Sequence, residues 1–98
     1  MPREKSNHKI KRRRWTFSLE AAEAEEVLLM GDFNNWSPKK HPMKNDGNGR
    51  WRLIVMIPPG RYEYKFIADG HWIEDPRNDQ ICLNNYGTNN SVLNLNKK

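Results

Sequence analysis

RWRLIVMIPPGRYEYKFIADG, residues 50–70, decides the fold of this chain. Its first half places apolar side chains at every second position: Trp51, Leu53, Val55 and Ile57. After the turn Pro58–Pro59–Gly60, its second half repeats the pattern: Tyr62, Tyr64, Phe66 and Ala68. A period of two is the spacing of a β-strand with one buried face. The stretch therefore predicts two strands separated by a turn.

The flanking sequence continues this pattern in both directions. RRRWTFSLE (12–20) alternates in the same way, and SVLNL (91–95) has the composition of a closing strand. Turn residues recur about every 8–12 positions, the spacing typical of a β-sandwich. AAEAEE (21–26) covers under two helical turns, so we expect a loop, a helical turn or a fraying connection there. About seven strands and no core-building helix predict an all-β, immunoglobulin-like sandwich of antiparallel strands.

Length and charge divide the chain into a tail and one domain. The 98 residues suffice for a single core. Residues 1–14 carry seven Lys and Arg against one Glu, whereas the rest of the chain is almost neutral. We therefore predict a flexible basic tail over residues 1–12 and one domain over residues 13–98.

The cysteine content and the hydropathy of the chain indicate the cellular compartment in which it is expected. Cys82 is the only cysteine, so no internal disulfide can form, and a buried thiol is expected. The basic start lacks the apolar stretch of a secretory signal, and runs such as VLLM (27–30) are too short to cross a bilayer. These features predict a cytoplasmic protein without a membrane partner.

The four tryptophans fall into two classes. Trp15 and Trp51 lie on apolar faces of alternating strands, which predicts core packing. Trp36 and Trp72 are flanked by turn residues, in GDFNNWSPKK and DGHWIEDP, which predicts surface positions. Either ring could instead fold over one end of the core. A pair of exposed tryptophans marks a binding surface.

A sugar is a suitable ligand for two neutral, exposed rings. The C–H face of a pyranose stacks on an electron-rich indole while its hydroxyl groups remain at the rim. Amide, ammonium and hydroxyl side chains can bind those hydroxyl groups. Candidates near turns or on an outward strand face are Asn34, Asn35, Lys65, Asn85, Thr88, Asn89 and Asn90.

Three segments together resemble a known family: VLLMGDFNNWSP (27–38), RYEYKFIADGHWIEDP (61–76) and NNYGTNNSVLNL (84–95). They are similar to the glycogen-binding domain of the AMP-activated protein kinase β subunit, in carbohydrate-binding module family 48. The resemblance implies an early-set β-sandwich that binds an α-1,4-linked glucan, namely glycogen, starch or a maltooligosaccharide. It implies stacking by Trp36 and Trp72, and hydrogen bonds to glucose from Lys65, Thr88 and Asn90.

The sequence departs from the kinase β-subunit pattern at Tyr86. The pattern has an aliphatic residue there, which inserts into the curve of the glucan. Because tyrosine is larger and can stack or hydrogen-bond, the preferred chain length or curvature stays open. We also expect neither the kinase-joining segment nor a hydrolase barrel, since the sequence ends after the last predicted strand. The predicted binding residues are Trp36, Lys65, Trp72, Tyr86, Thr88 and Asn90.

Other functions remain open alongside glucan binding. An adaptor or regulatory domain could dock on a kinase or a glucan-metabolising enzyme. KIKRRRW (9–15) could contact phosphates, although nucleic-acid binding is the weaker hypothesis. An enzyme is the least favoured, because an open sandwich surface would not desolvate a pair of carboxylates. No cofactor is predicted, and no metal site, since the three histidines lack ligand spacing with Cys82.

Overall fold

Residues 12–95 are described by a computed structural model, and they form two antiparallel sheets. The three-stranded sheet has the order β1–β4–β3, with bounds Arg13–Glu20 (β1), Arg50–Ile57 (β4) and Lys44–Asn45 (β3). The five-stranded sheet has the order β2–β5–β8–β7, with β6 also paired to β5. Its strands are Val27–Gly31 (β2), Gly60–Ala68 (β5), His71–Ile73 (β6), Ile81–Leu83 (β7) and Asn89–Leu95 (β8). The predicted all-β sandwich is confirmed.

The stretch 50–70 determines the sandwich because its two strands lie in different sheets. β4 is the central strand of the smaller sheet, and β5 is central to the larger one. The chain crosses between them at Pro58 and Pro59, where the hydroxyl group of Tyr62 donates a hydrogen bond to the carbonyl oxygen of Pro58 at 2.6 Å. Alternate side chains of both strands therefore meet in one interior.

The core fills the space between the sheets. Phe66 and Leu29 are completely buried, and Phe17 packs against Tyr64 with a ring-centroid distance of 4.9 Å. Trp51 is 7% exposed, and its indole N–H donates to the carbonyl oxygen of Ala21 at 3.0 Å. The core position predicted for Trp51 is therefore confirmed.

The core position predicted for Trp15 is wrong. This side chain is 40% exposed, although Phe17 and Leu19 on the same strand face are each 2% exposed. β1 is an edge strand of the three-stranded sheet and has a neighbour, β4, on one side only. Alternation gives Trp15 the correct face, but its position on the edge strand leaves part of the ring open to water.

Two connecting segments also bear on the sequence predictions. Residues 21–26 form the irregular connection between β1 and β2, as expected. The carboxylate of Asp69 accepts hydrogen bonds from the backbone N–H groups of Glu25 and Glu26, at 2.9 Å each. Cys82 is partly exposed on β7, so the expected buried thiol is wrong. The predicted tail lies outside the described residues except for Arg12, and the boundary at residue 13 stays a prediction.

Candidate functional site

An open groove of about 850 Å³ lies on the outer face of the five-stranded sheet. Side chains on β5 alternate, so that Tyr64 and Phe66 enter the core while Glu63 and Lys65 line the groove. The strand pairing extends this outer face, because Met30 lies opposite Lys65 and Asn90 lies opposite Cys82. The groove brings together all six predicted binding residues: Trp36, Lys65, Trp72, Tyr86, Thr88 and Asn90.

The two loop tryptophans lie side by side at one end of the groove. Their ring centroids are 6.3 Å apart and the ring planes are inclined by 51°. Trp72 is 53% exposed, and Trp36 is half-buried. Neither ring belongs to the core cluster. The pair therefore presents two tilted aromatic faces on one surface.

Trp36 is held by the turn that follows β2. A single-turn 3₁₀ helix, Asp32–Asn34, leads into two residues in left-handed conformation, Asn35 and Trp36, each with φ 56°. The indole N–H of Trp36 donates to Oδ1 of Asp32 at 3.0 Å. The other oxygen of Asp32 accepts the backbone N–H of Glu63 at 2.8 Å. Asp32 thus joins the tryptophan to the central strand.

Trp72 is placed by the hairpin of β5 and β6. Its partner across the strand pair is Ile67. The two-residue turn Asp69–Gly70 has φ values of 51° and 85°, as a type I′ turn requires. The Asp69 carboxylate, anchored to residues 25 and 26, holds this turn against the neighbouring connection. The indole therefore extends from a rigid hairpin.

Lys65 is a nearly buried cation at the base of the groove. The side chain is 7% exposed, and its ammonium donates to Oγ1 of Thr88 at 3.3 Å. The same nitrogen lies 5.9 Å from the ring centroid of Trp72, within range of a cation–π interaction. Among residues 12–95, no carboxylate forms a salt bridge with it. Since an ammonium has three hydrogens, two remain for a ligand.

Glu63 and Asn90 form a charged support under the groove. The amide of Asn90 donates to one oxygen of Glu63 at 3.0 Å, and Arg61 donates to the other at 3.0 Å. The hydrogen bond from Asn90 lowers the pKa of Glu63 most, and that from Arg61 adds to the lowering, while partial burial opposes it. Glu63 is thus stabilised as a carboxylate.

The loop between β7 and β8 forms the far wall of the groove. Tyr86 projects from it and is 90% exposed, so its ring is free to contact a ligand. Asn84 accepts the backbone N–H groups of Tyr86 and Thr88, at 2.8 and 3.2 Å. Asn84 forms hydrogen bonds at several points of the loop, and it is not among the residues predicted from the sequence. Its position within NNYGTNN was the available signal.

One of the amide candidates has a structural role. Asn34 is 3% exposed: its amide donates to the carbonyl oxygen of Leu29 at 2.9 Å and contacts Nδ1 of His41 at 2.7 Å. It cannot reach a surface ligand, so its candidacy is wrong. Asn85 lines the groove. Asp75 accepts the hydroxyl hydrogen of Tyr64 at 2.6 Å; burial of the phenol, aided by this bond, raises the pKa of Tyr64.

Asp32 and Glu63 also line the groove, and neither is among the residues predicted from the sequence. Within residues 12–95, no cluster of three or more His, Cys, Asp or Glu side chains could hold a metal ion. The same residues contain no helix with the length and apolar character needed to span a membrane.

The sandwich and its open aromatic groove define a β-sandwich binding domain. The family model described as the glycogen recognition site of AMP-activated protein kinase matches residues 14–98. This chain belongs to that family. As a carbohydrate-binding module family it is non-catalytic.

Individual relatives are similar over much of this chain. The 5'-AMP-activated protein kinase subunit beta-1 of Sus scrofa is 36% identical over 86% of it. Protein PTST homolog 2, chloroplastic, of Arabidopsis thaliana is 40% identical over 71% of it. The chain spans 62% and 13% of the lengths of these two proteins, respectively.

The crystal structure of a maltogenic amylase from S. marinus contains the same fold. Its match has a TM-score of 0.76, at 20% sequence identity, over 89% of this chain and 14% of the amylase chain. At this identity the match supports the sandwich architecture alone.

Proposed function

We propose that this chain is a non-catalytic module that binds an α-1,4-linked glucan: glycogen, starch or a maltooligosaccharide. The observation that carries the proposal is the placement of two indoles, with centroids 6.3 Å apart, beside the nearly buried ammonium of Lys65. The indoles provide stacking faces, and the cation provides hydrogen-bond donors for sugar hydroxyl groups. Membership of the glycogen-recognition family supports the same ligand.

The shape of the aromatic pair favours a curved chain. Rings inclined by 51° cannot both stack on one flat ribbon of sugars. An α-1,4-linked glucan curves, so successive glucose units can follow the change in direction between the rings. Tyr86 adds a third exposed ring at the far wall. We infer that the groove prefers maltooligosaccharides to β-1,4-linked cellooligosaccharides.

The expected affinity is modest. Each stacking contact contributes about 0.5–1.5 kcal/mol, and each exposed hydrogen bond about 1 kcal/mol. These contributions place the Kd in the micromolar to millimolar range, which corresponds to a free energy of binding of roughly −8 to −4 kcal/mol. A polymer raises retention by offering many equivalent sites.

An NMR titration of the full chain with maltoheptaose tests the proposal, with cellohexaose as the matched control. We expect shifts at Trp36, Lys65, Trp72 and residues 86–90 with the α-linked sugar and much smaller ones with the β-linked sugar. No shift at millimolar maltoheptaose would overturn glucan binding. Equal shifts with both sugars would overturn the preference for a curved chain.

A second candidate function is docking on a kinase or a glucan-metabolising enzyme. The outer face of the three-stranded sheet supports it, because Ile54 and Met56 are 55% and 52% exposed there. Arg14 and Arg52 flank these side chains. Capture of such an enzyme by the full chain, lost in an Ile54→Ser variant and kept with excess maltoheptaose, would support this role. Capture that depended on the glucan alone would contradict direct docking.

A further inference from the structure

The loop that carries Thr88 is organised by Asn84, whose amide uses all of its hydrogen-bonding capacity. Its oxygen accepts the backbone N–H groups of Tyr86 and Thr88. Its nitrogen donates to Oγ1 of Thr88 at 2.8 Å and to Oδ1 of Asn90 at 3.0 Å. A side-chain amide has two acceptor lone pairs and two N–H hydrogens. Every one of them is used within the loop and its neighbouring strand.

The groups at the two ends of this network determine which atom donates and which accepts in each hydrogen bond. The two backbone N–H groups can only donate, so the Asn84 atom that faces them is the oxygen. The nitrogen of Asn84 must then face Thr88 and Asn90. At the other end, the carboxylate of Glu63 can only accept, so Asn90 turns its nitrogen to Glu63 and its oxygen to Asn84. If the oxygen and nitrogen of either amide were exchanged, a donor would face a donor or an acceptor would face an acceptor.

This arrangement leaves the Thr88 hydroxyl group able only to donate a hydrogen bond to a ligand. Its hydroxyl oxygen accepts two hydrogen bonds, from Asn84 and from the ammonium of Lys65. Both lone pairs are therefore occupied, and only the hydroxyl hydrogen remains. The ammonium of Lys65 can only donate, and the amide of Asn90 has one N–H hydrogen that is not used in its bond to Glu63. The side of the groove formed by Lys65, Thr88 and Asn90 therefore presents donors, whereas the carboxylates of Asp32 and Glu63 line other parts of it.

We propose that Asn84 is a positioning residue that makes Thr88 a hydrogen-bond donor, so that this side of the groove selects a glucose hydroxyl acting as an acceptor. The inference rests on the proposed glucan binding. Asn84 itself acts through Thr88 and Asn90, since its own polar atoms are all engaged.

Sugar analogues test the proposal on the unaltered chain. The probes are maltotriosides in which one hydroxyl group at a time is replaced by hydrogen or by fluorine, and the measurement is Kd by NMR titration. Fluorine can accept a hydrogen bond weakly but cannot donate one. At the hydroxyl bound by Thr88 and Lys65, we expect hydrogen to weaken binding at least about fivefold, the loss of one hydrogen bond. Fluorine should retain most of the affinity there.

The outcomes separate this inference from the proposed function. If the unaltered chain does not bind maltotrioside or maltoheptaose, both fail. If it binds but fluorine and hydrogen weaken binding equally at every position, only the inference fails, because the sugar hydroxyl would then donate.

A substitution provides an independent test. In Asn84→Asp, a carboxylate could not donate to Thr88, and the Thr88 hydroxyl would turn its hydrogen toward it. We expect maltoheptaose affinity to fall at least about fivefold and the difference between fluorine and hydrogen analogues to shrink. Asn89→Asp is the matched control: although Asn89 was a candidate from the sequence, its side chain lies outside the groove lining, and the substitution adds the same charge. Equal affinities of Asn84→Asp and Asn89→Asp would overturn the proposal, and the analogue series decides it if Asn84→Asp does not fold.

Discussion

The interior and the groove are built on opposite faces of the same strand, β5. Tyr64 and Phe66 are at most 2% exposed on the inner face, where shape and apolar area determine the packing. Glu63 and Lys65 lie between them in sequence and face the groove, where each polar group has a defined hydrogen-bond partner. Substitutions on the inner face should therefore change stability, and those of the outer-face side chains that contact a ligand should chiefly change binding.

Trp51→Ala should have the largest effect, because it removes a ring that is 7% exposed within the core. We expect the free energy of unfolding to fall by about 3–5 kcal/mol. Urea denaturation followed by circular dichroism measures the change. The fraction that remains folded should still bind maltoheptaose, since Trp51 does not line the groove. A loss of binding by the folded fraction would contradict the assignment of stability to the inner face and binding to the outer face.

Trp15→Ala should cost less, because 40% of the side chain is already exposed to water. The expected loss is about 1–2 kcal/mol, below the range for a fully buried aromatic residue. The same urea denaturation gives the value. A loss equal to that of Trp51→Ala would mean that the edge of the sandwich is as well packed as its centre.

Trp36→Ala and Trp72→Ala should each weaken glucan binding by about 2- to 10-fold, equivalent to about 0.5–1.5 kcal/mol of stacking. The retention of each variant on an amylose column should fall by a similar factor, and both variants should remain folded. Trp15→Ala serves as the matched control, because it removes a partly exposed tryptophan outside the groove. Wild-type affinity in both groove variants would refute the aromatic platform.

Trp36→Gly and Trp36→Ala should differ in stability but not in binding. The backbone at this residue has φ 56°, which glycine adopts without the steric cost paid by other residues. The left-handed conformation costs alanine about 1–2 kcal/mol, and glycine loses about 0.4–1 kcal/mol more chain entropy on folding, so we expect the glycine variant to be more stable by about 0.5–1 kcal/mol in thermal unfolding. If alanine is the more stable replacement, the left-handed turn does not persist without the indole.

Glu63→Gln should lower stability in a pH-dependent way. The pKa of Glu63 is lowered in the folded state, chiefly by the hydrogen bond from Asn90. Its contribution to stability is therefore present above the unfolded-state pKa and is lost as the pH falls through the folded-state pKa. The difference in the free energy of unfolding between Glu63→Gln and the unaltered chain, measured by urea denaturation at several pH values, should shrink as the pH is lowered. A difference that grew toward acid pH would have the wrong sign.

Much of the fold could be predicted because alternation is a local signal. Apolar residues at every second position assign faces to β1, β4 and β5 without knowledge of their partners. The candidate residues were found through local motifs, such as GDFNNW around Trp36. The same reasoning failed for Asn34, because turn composition does not show whether an amide points to water or into the protein.

The sequence alone therefore determined the strand period, the all-β class and the residue types available for a sugar. Only the tertiary structure decided that Trp15 is left partly open, that Trp36 and Trp72 meet, and that Asn84 directs the hydrogen bonds of Thr88. The physical reason is separation along the chain: Trp36 and Trp72 belong to different strand connections. Their distance is set by how β2, β5 and β6 pair, which no local pattern encodes.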